Sequence, residues 1–211
     1  MLLMSLHATF AASAAAATGG GCAAEGGAAA PLNLLNASIE VAGSPPFDSR
    51  LPVYAKMLSD RVRDAAPGAH WAILDEWQPV AAGVPVVVRL VLDLRYHEPP
   101  ESYTLAAAGS VVSITAGDER GVLFGVGRLL RLLNCSFHED YGSKAADAPR
   151  SSVYLPLPLN LSSSPDFPMR GHQLGYRPKT NAYDGWDVVQ YERYIVDLAL
   201  FGTRLSVTLL M

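Results

Sequence analysis

A short segment near the carboxyl end of the chain carries alternating aromatic and hydrogen-bonding side chains. These are Tyr176, Arg177, Lys179, Asn181, Tyr183 and Trp186. Flat aromatic rings offer an apolar face against which a ligand can pack, and guanidinium, ammonium and amide groups donate hydrogen bonds to hydroxyl or carboxylate oxygens. This combination is typical of a site for a polyhydroxylated ligand such as a sugar. The alternative is that Tyr183 and Trp186 only fasten the start of the following helix to its neighbours.

Carboxyl groups that could serve as general acid and base are placed less favourably. The adjacent pair Asp75–Glu76 lies between two tryptophans in the first half of the chain and is predicted to be a surface or turn feature. Asp184 is predicted to be the N-cap of a helix that begins at about residue 185, and Asp187, three residues on, completes a capping-box-like pair. Glu192 and Asp197 fall on the flank of the same helix. No catalytic residue is therefore assigned.

Charge and cysteine content exclude several other classes of function. The formal net charge is −4 over 211 residues and the isoelectric point is near 5.7, which removes the electrostatic basis for nucleic-acid binding. Cys22 and Cys135 match no zinc spacing, and His138-Glu139-Asp140 is predicted to be a solvated loop rather than a metal site. No cofactor is expected. No apolar run reaches the roughly 20 residues of a membrane span.

The elements that precede the aromatic segment are predicted to form an α/β domain over residues 32–135. They are a strand at 34–41, a helix at 51–65, a central strand at 84–94, a hairpin of strands at 103–107 and 111–116, and a helix at 120–133. Ala108-Gly109-Ser110 marks the hairpin turn, and Asp118 is placed to cap the last helix. Gly121 and Gly125 lie four residues apart on one face of that helix, which allows it to approach the sheet closely.

Part of this domain resembles a known scaffold. The run Glu101-Ser102-Tyr103-Thr104-Leu105, the hairpin that ends at Ile114-Thr115-Ala116, and the helix from Gly121 to Leu133 are similar to the N-terminal α/β domain that precedes the barrel in glycoside hydrolase family 20 hexosaminidases. Related domains precede the barrels of alpha-glucuronidases and alpha-N-acetylglucosaminidases. The resemblance implies a scaffold and assigns no chemistry to these residues.

The rest of the chain is predicted to be a linker and the beginning of a barrel. Residues 136–167 are rich in Pro, Ser and other polar residues, which favours a linker. The pattern then predicts a strand at 169–175, a helix at 185–201 that ends at Gly202, and a strand at 205–210. Strand, helix and parallel strand are the repeating unit of a (β/α)8 barrel. The expected fold class is α/β, a small sheet-plus-helices domain followed by the first strand–helix–strand of a TIM-type barrel over residues 168–211.

Arg170-Gly171 stands where the resemblance places a strand whose arginine contacts sugar hydroxyls. The resemblance therefore implies that Arg170 is a sugar ligand, and a guanidinium can donate paired hydrogen bonds. Its place near the start of a strand is unusual, because barrel sites lie at the carboxyl ends of strands. The helix that follows Trp186-Asp187 is more similar to a run in alpha-N-acetylglucosaminidases. The candidate substrate-binding residues are Arg170, Tyr176, Arg177, Asn181, Tyr183 and Trp186.

The resemblance also implies an activity. Glycosidases need two carboxyl groups, or one together with a substrate acetamide, and family 20 enzymes supply them from a middle strand of the barrel. A complete barrel takes about 250 residues, far more than residues 168–211 provide. The chain is therefore expected to be the N-terminal portion of a hydrolase of terminal amino sugars or uronic acids, inactive alone, with a glycan as its partner. A non-catalytic carbohydrate-binding module and a purely structural domain are the alternatives.

The amino-terminal part of the chain bears on its compartment. Residues 1–31 are rich in Ala and Gly and are predicted to be either a low-complexity leader or a signal peptide that lacks the usual basic region. Three glycosylation sequons begin at Asn36, Asn134 and Asn160. These features favour a secreted or lysosome-like location.

Overall fold

The computed structural model describes residues 29–43, 48–74, 86–138, 150–174 and 185–208. Within these ranges the helices are α1 (Leu51–Ala65), α2 (Glu119–Leu132) and α3 (Val188–Leu200). The strands are β1 (Leu32–Asn33), β2 (Asn36–Gly43), β3 (His70–Leu74), β4 (Val87–Leu92), β5 (Tyr103–Ala108), β6 (Val111–Ala116), β7 (Asn134–His138), β8 (Arg150–Leu155), β9 (Asn160–Ser163), β10 (Gly171–Leu174) and β11 (Leu205–Thr208).

A six-stranded mixed sheet forms the centre of the fold, in the order β3-β2-β4-β6-β5-β9. Strands β3, β2, β4 and β6 run parallel, and β5 is antiparallel to both β6 and β9. β4 lies inside this order with most of its residues buried, as its run of valines and leucines predicts. The predicted hairpin is confirmed as β5 and β6, and Gly109 takes a φ of +58° in its turn.

Helix α2 packs closely on this sheet through two glycines. Asp118 caps the helix as predicted, because its carboxylate accepts the N–H of Gly121 at 2.8 Å. A Cβ atom on Gly121 would lie 2.4 Å from the carbonyl oxygen of Ser102, and one on Gly125 would lie 2.3 Å from Cγ2 of Ile114. The expected close approach of this helix is confirmed.

The segment over residues 136–167 contributes strands to two sheets. β8 pairs antiparallel with β1 and with β7 in a three-stranded sheet, and β9 adds the edge strand of the central sheet beside β5. Val153 and Leu155 of β8 are fully buried. The expectation of a plain linker is corrected in this respect, because the alternation of polar and apolar residues along β8 buries one of its faces in the core.

Strands β10 and β11 are parallel neighbours joined through α3. Gly171 lies opposite Leu205, and Leu174 lies opposite Thr208. The order strand, helix, parallel strand is the one that the sequence predicts, and it places the amino ends of both strands at one edge of the pair. That this unit belongs to a (β/α)8 barrel stays a prediction.

Capping residues define both ends of helix α3. Asp187 and Gln190 form a reciprocal capping box at its start, whereas the other predicted cap residue, Asp184, lies outside the described residues. Gly202 follows its last turn with a φ of +89°, a conformation that glycine adopts easily. The predicted helix end is confirmed.

The carboxyl end of α3 attaches to the first domain. Leu200 is only 5% exposed and packs against α2 at Gly127. Arg131 of α2 donates from Nη1 to the carbonyl oxygen of Leu200 at 2.8 Å, and its guanidinium lies 4.8 Å from the ring centroid of Phe201. The middle and start of the helix are more open, since Val188 is 72% exposed. The last turn of α3 therefore makes its most buried contact with the first domain.

Candidate functional site

The structure describes two of the six candidate sugar-binding residues. Four lie outside the described residues, namely Tyr176, Arg177, Asn181 and Tyr183. Arg170 directly precedes β10, and Trp186 lies just before α3. The chain leaves β10 at Leu174 toward the undescribed residues 175–184, so this segment begins at the carboxyl end of the strand, where barrels place their sites. Arg170 lies at the opposite end.

Trp186 belongs to a group of aromatic rings that joins α3 to β10. Its ring makes edge-to-face contacts with Tyr191 and Tyr194, at centroid distances of 5.5 and 5.2 Å. Tyr194 in turn meets the ring of His172 at 5.7 Å. Pairs of this geometry contribute about 0.5–1.5 kcal/mol each beyond the area that they bury. This is the fastening arrangement that the sequence analysis left open, while stacking of Trp186 on a sugar stays a prediction.

Arg170 donates hydrogen bonds within the chain from all three of its guanidinium nitrogens. Nε donates to the carbonyl oxygen of Gly202 at 2.9 Å, and Nη1 donates to that of Phe167 at 2.6 Å. Nη2 donates to the carboxylate of Glu101 at 2.5 Å. Each Nη carries a second N–H, and these two groups are the donors that a sugar contact would use. The sugar contact implied for Arg170 stays a prediction.

Glu101 gathers two further arginines around the same carboxylate. Nη1 of Arg120 lies 3.1 Å from Oε1, and Nε of Arg204 lies 3.5 Å from that oxygen. Arg170 takes Oε2. Because the side chain of Glu101 is only 6% exposed, one buried carboxylate faces three guanidinium groups from three parts of the chain.

The backbone of Glu101 is held in an unusual conformation. Its φ is +68°, in the left-handed region that favours glycine. Its N–H donates to Oδ2 of Asp118 at 2.6 Å, while the other oxygen of Asp118 caps α2. One aspartate therefore fixes both the start of α2 and the strained residue that carries the carboxylate.

Opposing influences set the pKa of Glu101. Burial raises it, but hydrogen bonds from Arg170 and Arg120 and the charges of Arg170 and Arg204 outweigh burial, so that the pKa lies below its ordinary value of 4.5. A general acid that works near neutral pH needs the opposite shift. Glu101 is therefore suited to holding arginines and not to donating a proton.

A cavity of about 540 Å³ lies beside this cluster. It is lined by Pro99, Pro100, Glu101, Asp118, Glu119, Arg120, Pro165, Pro168 and Arg204. Asp118–Glu119 is an adjacent Asp-Glu pair, which the sequence analysis did not weigh as a candidate. Oε1 of Glu119 accepts from Oγ of Ser49 at 2.6 Å and from the N–H of Arg50 at 2.9 Å. Both members of the pair therefore serve the amino ends of helices.

The remaining candidate carboxylates also have structural partners or lie outside the described residues. Asp187 caps α3, and Asp197 pairs with Arg61 at 2.6 Å. Asp75–Glu76 is not among the described residues. In the described part of the chain, no group of three or more His, Cys, Asp or Glu residues could hold a metal ion. None of the helices found there has the length and apolar character of a membrane span.

Comparisons with known proteins find the fold among solved structures. No family sequence profile matches the chain, and no curated protein matches it. The Flavobacterium johnsoniae chitobiase FjGH20 matches with a TM-score of 0.52 at 20% identity, over 85% of this chain and 24% of the enzyme. The GH20 beta-N-acetylhexosaminidase of Streptomyces coelicolor matches with a TM-score of 0.53 at 22% identity, over 85% of this chain and 31% of the enzyme. The chain shares its fold with part of the family 20 glycoside hydrolases.

A third family 20 structure carries a ligand. The exo-beta-N-acetylglucosaminidase of Vibrio harveyi, solved in complex with N-acetylglucosamine, matches with a TM-score of 0.52 at 16% identity, over 84% of this chain and 22% of the enzyme. The chain thus spans between a fifth and a third of the length of these enzymes. The resemblance found in the sequence is confirmed for the fold.

Sequence reasoning missed the three-arginine cluster. Glu101 opens the motif quoted for the scaffold, but the motif alone does not indicate its partners. A usable signal was the placement of an arginine at the start of each of two predicted parallel strands, Arg170 in the strand at 169–175 and Arg204 directly before the strand at 205–210. The starts of parallel neighbouring strands lie side by side, so such residues share one edge.

Proposed function

We propose that this chain is the N-terminal portion of a glycoside hydrolase that acts on terminal amino-sugar or uronic-acid residues of glycans. In this proposal the central-sheet domain is a scaffold, and β10, α3 and β11 begin a catalytic barrel. The catalytic carboxyl groups come from later strands of such a barrel. The chain by itself then binds a glycan weakly and does not hydrolyse it, and its location is secreted or lysosome-like.

One observation carries the proposal. A parallel strand–helix–strand unit follows a mixed sheet, in a fold shared with part of several family 20 enzymes. One of those enzymes was solved with N-acetylglucosamine. A strand–helix–strand unit of the kind that barrels repeat, together with the shared fold, therefore supports the proposal.

The proposed sugar site lies at the carboxyl end of β10. Tyr176, Tyr183 and Trp186 supply aromatic faces, and Arg177 and Asn181 donate to hydroxyl or carboxylate oxygens. Arg170 lies at the opposite end of β10, where its two remaining N–H groups form a separate candidate sugar contact. A uronic acid would gain a charge-assisted hydrogen bond to a guanidinium that a neutral amino sugar lacks.

The proposal is tested by titrating the full chain with N-acetylglucosamine and with glucuronic acid. We expect binding in the millimolar range, which corresponds to about −4 kcal/mol, because only the first part of a site is present. Trp186→Ala should weaken binding about fivefold or more if its ring stacks on the sugar. Tyr154→Ala is the matched control, since this exposed aromatic residue lies on β8 in the three-stranded sheet.

A turnover assay with 4-nitrophenyl N-acetylglucosaminide completes the test. We expect no release of nitrophenol by the chain alone. Hydrolysis would contradict the assignment of the catalytic carboxyl groups to later strands. If neither N-acetylglucosamine nor glucuronic acid binds at tens of millimolar, the sugar-binding part of the proposal is wrong.

A purely structural or accessory domain is the second candidate function. The two edge-to-face contacts of Trp186 and the internal hydrogen bonds of Arg170 favour it, because both side chains already have partners in the chain. This candidate predicts that Trp186→Ala destabilises α3 without changing the response to either sugar. The same titration therefore separates the two.

A further inference from the structure

The two strands of the β10–β11 pair each begin directly after an arginine that reaches the same carboxylate. Arg170 precedes β10, and Arg204 precedes β11. The N–H of Arg204 donates to the carbonyl oxygen of Arg170 at 2.9 Å, so the two residues continue the register of the strands. Both side chains contact Glu101, which lies at the start of β5 in the other domain. The starts of both strands therefore meet the first domain at one point.

Each of these arginines is also fixed by carbonyl groups next to the strand starts. Arg170 donates to Gly202 and Phe167, and Nη1 of Arg204 donates to the carbonyl oxygen of Pro168 at 2.8 Å. A planar guanidinium with several bonds has little freedom to turn. A displacement of the carboxylate would therefore displace the backbone at both strand starts.

Residues of the first domain also hold Glu101 in place. Glu101 keeps a φ of +68°, where glycine would be free of strain, and strained residues persist where their surroundings hold them. Asp118 accepts its N–H, and Arg120 of α2 donates to its side chain at 3.1 Å. The amino end of α2 thus fixes the carboxylate that the strand starts contact.

We propose that Glu101 is a positioning residue that fixes the starts of β10 and β11 on the first domain. Arg170 and Arg204 both contact its carboxylate. Loss of the charge of Glu101 is therefore expected to loosen both strands while the central sheet keeps its structure.

The test compares Glu101→Gln with a matched control in the full chain, by amide hydrogen exchange. The control is Glu40→Gln, because Glu40 also bonds an arginine, Arg89 at 2.8 Å, but within the central sheet. Glu101→Gln should speed exchange in β10 and β11 about tenfold or more, with β4 and β6 unchanged, since it removes the charge that three arginines share. The control should leave β10 and β11 as in the wild type. Unchanged exchange of β10 and β11 in Glu101→Gln would overturn the proposal.

An acid titration adds a readout that packing alone would not move. The groups that face Glu101 are Arg120, Arg170 and Arg204, together with Asp118, which accepts its N–H. The pKa of Glu101 is lower in the folded chain than its ordinary 4.5. Its contribution is therefore present above that value and is lost as the pH falls through the folded pKa. In the wild type, the protection of β11 from exchange, relative to that of β4, should fall as the pH drops through the folded pKa of Glu101. This pH-dependent loss of protection should be missing in Glu101→Gln. An equal loss of β11 protection in Glu101→Gln would contradict the proposed role of Glu101.

Two further outcomes keep the test decisive. If Glu101→Gln exchanges fast throughout, Arg204→Gln replaces it, because this change leaves Glu101 with Arg120 and Arg170. Selective loosening of β11 in Arg204→Gln then supports the proposal, and none overturns it. A wild type that binds no sugar would refute the proposed function and would leave the role of Glu101 in fixing the strands unaffected.

Discussion

Gly127→Ala should release α3 from the first domain. A Cβ atom at this position would lie 1.8 Å from the carbonyl oxygen of Leu200 and 2.6 Å from its carbonyl carbon. These are backbone atoms of a helix, so a side-chain rotation cannot remove the clash. The whole end of α3 has to move away from α2.

The cost of that movement follows from the contacts that end with it. Leu200 would leave a nearly fully buried position, and burial of a leucine side chain is worth about 1.5–3 kcal/mol. The hydrogen bond from Arg131 to its carbonyl oxygen would also be lost, which adds about 1 kcal/mol. We expect α3 docking to weaken by about 2–4 kcal/mol, seen as faster hydrogen exchange in α3 with the central sheet unchanged.

A second glycine provides the control for this change. A Cβ atom on Gly185 would meet nothing within 4 Å, and its φ is not in the left-handed region. Gly185→Ala should therefore leave the exchange of α3 as in the wild type. Unchanged or slower exchange of α3 in Gly127→Ala would show that the close contact with Leu200 does not exist.

Gly125→Ala, two residues earlier in the same helix, should destabilise the first domain itself. The added Cβ would lie 2.3 Å from Cγ2 of Ile114 and 3.3 Å from the ring of Tyr103. Both side chains are buried in the central sheet. Overpacking of this kind costs about 1–3 kcal/mol, which exceeds or matches the gain in helix propensity.

The measurement for Gly125→Ala is thermal or urea unfolding of the full chain. We expect the midpoint temperature to fall by about 2–4 °C for each kcal/mol lost in a chain of this length. A more stable variant would mean that α2 lies further from β6 than described. The two alanine variants should thus differ in kind, since one loosens a single helix and the other lowers the stability of the central sheet.

Local patterns account for the parts of the fold that could be predicted from the sequence. The hairpin of β5 and β6, the cap at Asp118, and the helix end at Gly202 each depend on residues within a few positions of one another. Neighbouring residues supply the physical cause, so a short window of sequence contains it. The parallel pairing of β10 and β11 was also predictable, because a helix between two strands of this length favours the parallel crossover.

Long-range partners account for what the sequence could not show. The residues of β8 and β9 are polar in composition, and only their pairing with β1, β7 and β5 makes them strands of a sheet. The partners of Glu101 lie 19, 69 and 103 positions away along the chain, at Arg120, Arg170 and Arg204. No local sequence pattern predicts that these three arginines contact one carboxylate. The same reason explains why Arg170, expected from the resemblance as a sugar ligand, also serves to dock a strand.

The proposed function requires that β10 and β11 are parallel neighbours whose starts are held by the first domain. Through-space NMR contacts between backbone protons of β10 and β11, in the isotopically labelled full chain, test it most directly. The account predicts contacts of His172 with Ser206 and of Gln173 with Val207, in the parallel register. Contacts of Gly171 with Thr208 and of Leu174 with Leu205, which would mean antiparallel strands, or no contacts between the two segments, would contradict it.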